Sequence, residues 1–203
     1  MKTPGREPSI RNRTDEEVFR AYMEDLRLTP EDFNKKLLDV GAGAAQFAKW
    51  AKEHGVSQEI YSLEPRGGYI SEKEKSVAAR AEAIPFADES FDLVVSNAAI
   101  PNMYIGEWST GMIKGKIKNS LQEMVRVLKP GGEIRLARVL IGKKDGPQKQ
   151  NIEEGLKNLE ARGGVKIERI KTQSDNTYEY DKNHSPTRLL AESYLIIIRK
   201  QIM

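Results

Sequence analysis

Asp39, Gly41, Ala42, Gly43 and Glu64 are the residues whose types and spacing could do chemistry in this chain. In the stretch KLLDVGAGAAQFAKW (36–50), the apolar run Leu37, Leu38 and Val40 encloses an acid, Asp39, and gives way to three positions with almost no side-chain bulk. Backbone there can come very close to a ligand. Phe47, Ala48, Trp50 and Ala51 then recur at helical spacing, so the turn opens into a helix whose first free N–H groups face whatever lies over the loop. Strand, small-residue turn and helix N-terminus make a cradle for a nucleotide or an anion, although the same turn also serves close packing alone. Glu64 follows the glycine turn by about twenty residues, the spacing at which a carboxylate accepts both hydroxyls of a ribose. Together they point to an adenosine-containing ligand.

Strands and helices must bring those groups to one place. Thr14 to Arg27 opens on Thr-Asp-Glu-Glu, in which Thr14 caps the backbone and Glu17 closes a capping box, and Val18, Phe19, Tyr22, Met23 and Leu26 form one apolar stripe. Thr29-Pro30-Glu31 starts a further turn of helix. After the first strand and its helix, which ends near His54-Gly55, strands are expected at 59–63, at 77–81 as the weakest of the set, at 91–96 and at 133–141. An irregular stretch from Asn97 to about Gly115 precedes a helix with Ile113, Ile117, Leu121, Met124, Val125 and Leu128 on one face, stopped by Lys129-Pro130-Gly131-Gly132. A polar helix at 147–162 follows, then the strands VKIERI (165–170) and LAESYLIIIRK (190–200), separated by the polar segment 173–188.

Alternating strands and helices imply a parallel sheet wrapped on both faces, and two final strands with no helix between them run antiparallel to each other. The expected fold class is α/β, a doubly wound sheet with one reversed strand near an edge. In such sheets ligands bind beyond the carboxyl ends of the strands, where the winding reverses. The glycine turn, Glu64, the segment from Ala81 and Asn97 all fall on such ends.

Composition limits the chemistry. The 203 residues suit one domain that buries about 70% of its unfolded surface. Residues 1–13 read as a flexible basic arm and 14–203 as a single domain, with 14–35 a helical cap and 36–203 the sheet core. With no cysteine and only His54 and His184, thiolate chemistry and Cys/His zinc sites are excluded, and no metal is expected. No apolar run is long enough to span a bilayer and the first residues lack a signal-peptide centre, so a cytoplasmic protein without membrane contact is the expectation. A formal net charge of +3 is too small to argue for nucleic acid, and Lys114, Lys116 and Lys118 read as a solvated helix face.

A dinucleotide fingerprint requires G-x-G-x-x-G, and here Gln46 stands where the last small residue should be. The stretch Asp39-Val40-Gly41-Ala42-Gly43-Ala44-Ala45 instead resembles the first motif of the class I S-adenosylmethionine-dependent methyltransferases. AEAIPFADESFDLVVSNAAI (81–100) and EMVRVLKPGGEIRLA (123–137) resemble later motifs of the methyltransferase type 11 group, in the family's order and spacing over about half the chain. The resemblance implies a Rossmann-like, mostly parallel seven-stranded sheet with the last strand inserted antiparallel, and S-adenosylmethionine as cofactor. It also implies roles for residues of this chain: Asp39 near the methionyl amino group, Gly41, Ala42 and Gly43 under the cofactor, Glu64 on the ribose, Ala81 and Glu82 along the adenine, and Asn97 beside the sulfonium. Two positions depart from the family pattern, Ala45 at the third glycine and Arg80 where an acid often accepts from the adenine amino group.

Methyl transfer from a sulfonium is an in-line displacement in which alignment and exclusion of water carry much of the rate. An amine or phenol acceptor would need a base, whereas a carboxylate would not. Tyr104, Glu107 and, from the last loop, Tyr178, Tyr180 or His184 are candidate bases, each more simply read as a surface or packing residue, and none is assigned. A small-molecule acceptor is expected, admitted between the N-terminal helix, the 97–115 loop and the loop before the last strand. The alternatives are a non-catalytic cofactor-binding or interaction module of the same fold, and a methyltransferase acting on RNA or protein, for which the basic arm and Lys114 to Lys118 are the support.

Overall fold

A computed structural model describes residues 13–66, 75–104, 110–142, 147–180 and 186–202. Helix α1 (Asp15–Asp25) begins at the expected capping box, with Thr14 Oγ1 accepting from the Glu17 amide at 3.2 Å and the Glu17 carboxylate accepting from the Thr14 amide at 2.7 Å. A 3-10 turn (Pro30–Asn34) leads into β1 (Leu37–Val40), α2 (Gln46–Glu53), β2 (Ile60–Leu63), β3 (Ser76–Val77) and β4 (Phe91–Asn97). A second 3-10 turn (Asn102–Tyr104), α3 (Thr110–Val127), β5 (Leu128–Gly142), α4 (Pro147–Ala161), β6 (Val165–Tyr180) and β7 (Pro186–Lys200) complete the chain.

The sheet has seven strands in the order β3-β2-β1-β4-β5-β7-β6. Strands β1 to β5 pair in parallel, while β7 lies antiparallel between β5 and β6. The expected doubly wound sheet with an inserted reversed strand is therefore the fold. Successive strands step one way from β1 to β2 and β3 and the other way to β4 and β5, so the winding reverses between β1 and β4.

Both faces are covered, which is why the central strands read as continuous apolar runs. Leu38, Val40, Val94, Ile134, Leu136, Ile196 and Ile198 pack on the side of α3 and α4, and Leu37, Leu93, Val95, Leu195 and Ile197 on the side of α1 and α2. Strand alternation puts Asp39 on the face of Leu37, beneath α1 and α2. There Phe19 stacks on Trp50 at 4.1 Å and Tyr22 on Phe47 at 4.4 Å, fastening the cap helix to α2.

Several elements differ from the sequence reading. The weak third strand is Ser76–Val77 rather than 77–81, paired with Ser62 and Leu63 at the end of β2. No helix separates β3 from β4; residues 78–90 form turns held by Arg126 of α3, whose guanidinium donates to the carbonyls of Ile84 (2.8 Å) and Phe86 (2.9 Å) and to Asp88 (2.7 Å). Helix α3 starts at Thr110, inside the stretch read as irregular. Within the polar segment, residues 173–180 and 186–188 are strand, since β6 and β7 continue to pair as far as Tyr180 and Pro186, and antiparallel pairing needs no apolar pattern to extend its ladder. Among the described residues no helix is long and apolar enough to cross a membrane.

Candidate functional site

At the reversal between β1 and β4 the small-residue turn forms the floor of a cavity of about 400 Å3. Gly41, Ala42, Gly43, Ala44, Glu64 and Asn97 line it, together with Tyr22 and Asp25 of α1 and Arg138 of β5. The turn is held by the end of β2, with the amides of Gly41 and Ala42 donating to the Leu63 carbonyl at 2.8 and 3.2 Å. Gly41 has a φ of +82°, and a Cβ there would come within 2.4 Å of the Ala99 methyl. Gly43, at φ +56°, has open space where a Cβ would stand. One glycine is required by packing, the other leaves room above the loop.

Glu64 is 6% exposed and all but one of its in-plane acceptor positions are in use. Oε2 accepts from the Gly43 amide at 3.2 Å; Oε1 accepts from the Arg66 amide at 3.2 Å and from Arg66 Nε at 2.7 Å. Asp39 lies deeper, 0% exposed. Its Oδ1 accepts from the Tyr22 hydroxyl at 3.3 Å, and its Oδ2 is buried with no hydrogen-bond partner among the described residues. Burial pushes the Asp39 carboxyl up to about 7, the Tyr22 hydrogen bond pulling against this and the Glu64 charge adding to it. Asp39 is not among the residues that line the cavity, whereas Tyr22, which donates to it, is. The orphaned Oδ2 and the space over Gly43 fit a methionine-nucleoside cofactor.

Asn97, at the end of β4, is a further wall of the cavity. Its Nδ2 donates to Asp25 Oδ2 at 3.1 Å, the same oxygen that accepts from Arg138 Nε at 2.6 Å, and its Oδ1 is buried without a partner among the described residues. Tyr22, Asp25, Arg138 and Arg66 were not singled out by the sequence reading. Tyr22 sits in an apolar stripe and counts there as core; Arg138 lies inside the strand expected at 133–141, just beyond the last pairing of β4 with β5, so a rule that looks at strand ends passes over it.

Ala81 and Glu82 do not reach this cavity. They line a second one of about 380 Å3 with Arg80, Tyr104 and Lys116, and the two cavities share Pro65 and Arg66. The Tyr104 hydroxyl is hydrogen-bonded to Ser120 Oγ at 2.8 Å. Glu107 and His184 lie outside the described residues, as does most of the basic arm, and the side chains of Tyr178 and Tyr180 are likewise outside them. Of the two departures from the family pattern, Arg80 lines the second cavity and Ala45 has a structural account. Ala45 is 2% exposed, sits at φ +54° as the N-cap of α2 and is not a wall of the cavity. Gln46 ties α2 to the cap, its Nε2 donating to the Arg13 carbonyl (3.0 Å) and to Asp15 (2.9 Å).

Comparison with known proteins bears on this site. Residues 38–136 match the family model described as a methyltransferase domain. The malonyl-[acyl-carrier protein] O-methyltransferase of Enterobacter lignolyticus is 29% identical over 103 residues, a match that spans 48% of this chain and 36% of that protein's length. Among solved structures, the [4+2]-cyclase SpnF superposes with a TM-score of 0.62 at 15% identity, over 93% of this chain and 81% of SpnF. The YcgJ protein of Bacillus subtilis superposes with a TM-score of 0.59 at 14% identity, over 93% of this chain and all of that one, 100%. At such identities the two structures speak for the fold alone.

Proposed function

We propose that this chain, whose residues 38–136 match the model of a methyltransferase domain, binds S-adenosylmethionine across the two joined cavities and transfers its methyl group to a small-molecule acceptor. The observation that carries the proposal is the buried pair Asp39 and Glu64: one acid with an unpartnered oxygen under the glycine turn, the other in the wall of the first cavity. When bound, the cofactor supplies an electrophilic methyl on a sulfonium. Asp39, beneath the turn, would supply the charge that complements the ammonium of the amino-acid end, and Tyr22, which lines the cavity and donates to Asp39, would orient that carboxylate. Glu64 accepts the ribose hydroxyls, and Ala81 and Glu82 receive the base in the second cavity.

The acceptor then meets the wall formed by α1 and the ends of β4 and β5. Asn97, Asp25 and Arg138 form one hydrogen-bonded cluster there, which positions a polar acceptor and displaces water from the line of attack. The Enterobacter relative is named as an O-methyltransferase of malonyl-[acyl-carrier protein], which supports an oxygen atom as the acceptor. Calorimetry with S-adenosylhomocysteine tests the reading: wild-type protein is expected to bind it and Glu64→Ala to bind at least tenfold more weakly, while no binding by the wild type rejects the proposal.

A further inference from the structure

Glu64 is the acid to which the reading above assigns the ribose, and Arg66 already occupies it. A carboxylate offers about four in-plane acceptor positions. Three are filled, by the Gly43 amide, the Arg66 amide and Arg66 Nε, and both positions on Oε1 belong to Arg66. A vicinal diol needs two acceptors on that carboxylate, so one donor has to leave. The two amides are fixed by the main chain, one in the glycine turn and one two residues beyond Glu64. The Arg66 side chain is the group able to move: it is 62% exposed against 8% for the Glu64 side chain. It also stands between the two cavities, being a wall of each, on the path a nucleoside would follow from one to the other.

We infer that Arg66 is a displaceable latch on the nucleoside site, a specificity element that holds Glu64 with its side chain and yields it only to a ligand whose paired hydroxyls replace the guanidinium. The inference rests on the proposed cofactor reading. The latch selects for a ribose diol, because a ligand presenting a single hydroxyl recovers less of the lost ion pair than one presenting two. It also opposes binding by the strength of that pair, which is salt-sensitive because one partner is exposed.

Calorimetric titration of S-adenosylhomocysteine into wild type, Arg66→Ala and Arg66→Met, at ~0.05 and ~0.5 M KCl, tests this. Both variants are expected to bind about two- to fivefold more tightly than wild type at low salt, the scale of an ion pair with one exposed partner, and the advantage is expected to shrink at high salt. Two variants of different size separate loss of the guanidinium from a change of packing, and thermal unfolding verifies that each is folded. Equal or weaker binding by both variants overturns the latch while leaving the cofactor reading intact. Failure of all three proteins to bind removes the cofactor reading, and the latch with it.

Discussion

The Tyr22 hydroxyl donates to Oδ1 of Asp39 at 3.3 Å, joining the cap helix to the central strand of the sheet. Neither group is comfortable there. Burial raises the Tyr22 phenol well above its ordinary range, and the nearby Asp39 charge raises it further. Burial likewise pushes Asp39 to about 7. The contact therefore places a titration near neutrality beneath the glycine turn.

Stability is expected to carry the mark of that titration. Folding raises the Asp39 carboxyl from 3.8 to about 7, so between those values the folded state holds a proton that the unfolded chain has released. The Asp39 contribution is fully present below about pH 4, is lost as pH rises towards about 7 and is constant above. Urea unfolding from pH 4 to 8 is expected to show wild type losing stability relative to Asp39→Asn over this window. Parallel curves would remove the assignment.

Binding is expected to run the opposite way. An ammonium is favoured by ionised Asp39, so S-adenosylhomocysteine affinity should weaken as pH falls below about 7, by up to about tenfold per unit. Tyr22→Phe removes the hydrogen bond that holds Asp39 down, and the onset of weakening moves to higher pH. The same variant is expected to cost about 1 kcal/mol of stability, the value of one buried hydrogen bond. Calorimetry across pH for the two proteins measures both.

Gly41 and Gly43 should separate packing from binding. In Gly41→Ala the new methyl meets the Ala99 methyl at 2.4 Å on backbone at φ +82°, and a loss of about 2–4 kcal/mol is expected in denaturant unfolding. In Gly43→Ala the methyl enters open space at φ +56°, so about 1 kcal/mol of backbone strain is expected, with a larger loss of S-adenosylhomocysteine affinity. Equal effects on stability from the two would contradict this division.

Arg126 holds the 84–88 turn that leads to β4. Besides its three contacts there it pairs with Glu123, whose Oε2 accepts from the Ile84 amide at 2.9 Å. Arg126→Ala is expected to cost about 2–3 kcal/mol, through charge-assisted hydrogen bonds lost and a turn left with unsatisfied carbonyls. Limited proteolysis should locate new cleavage within residues 81–90. Wild-type resistance there would refute a clamp.

Much of the architecture was legible because it depends on local pattern. Buried strands covered on both faces must be apolar at every position, so Leu37, Leu38 and Val40, or Leu93 to Val95, declare themselves. The capping box at Thr14 and Glu17 is likewise local, needing only the right residue three positions on. Strand 76–77 and the hairpin extension through Tyr180 were less legible, because pairing with a distant strand rather than their own sequence makes them strands.

By itself the sequence determined the order of strands and helices, the small-residue turn and the spacing from that turn to Glu64, since each follows from side-chain volume, periodicity or chain distance. Only the tertiary structure decided what surrounds those residues. Tyr22 reached Asp39 across 17 positions, Asp25 met Asn97 across 72 and Arg138 across 113. The protonation of Asp39, the cluster at the end of β4 and the hold of Arg66 on Glu64 come from burial and hydrogen-bond geometry. Those arise only when separate segments are packed together, and no local pattern encodes them.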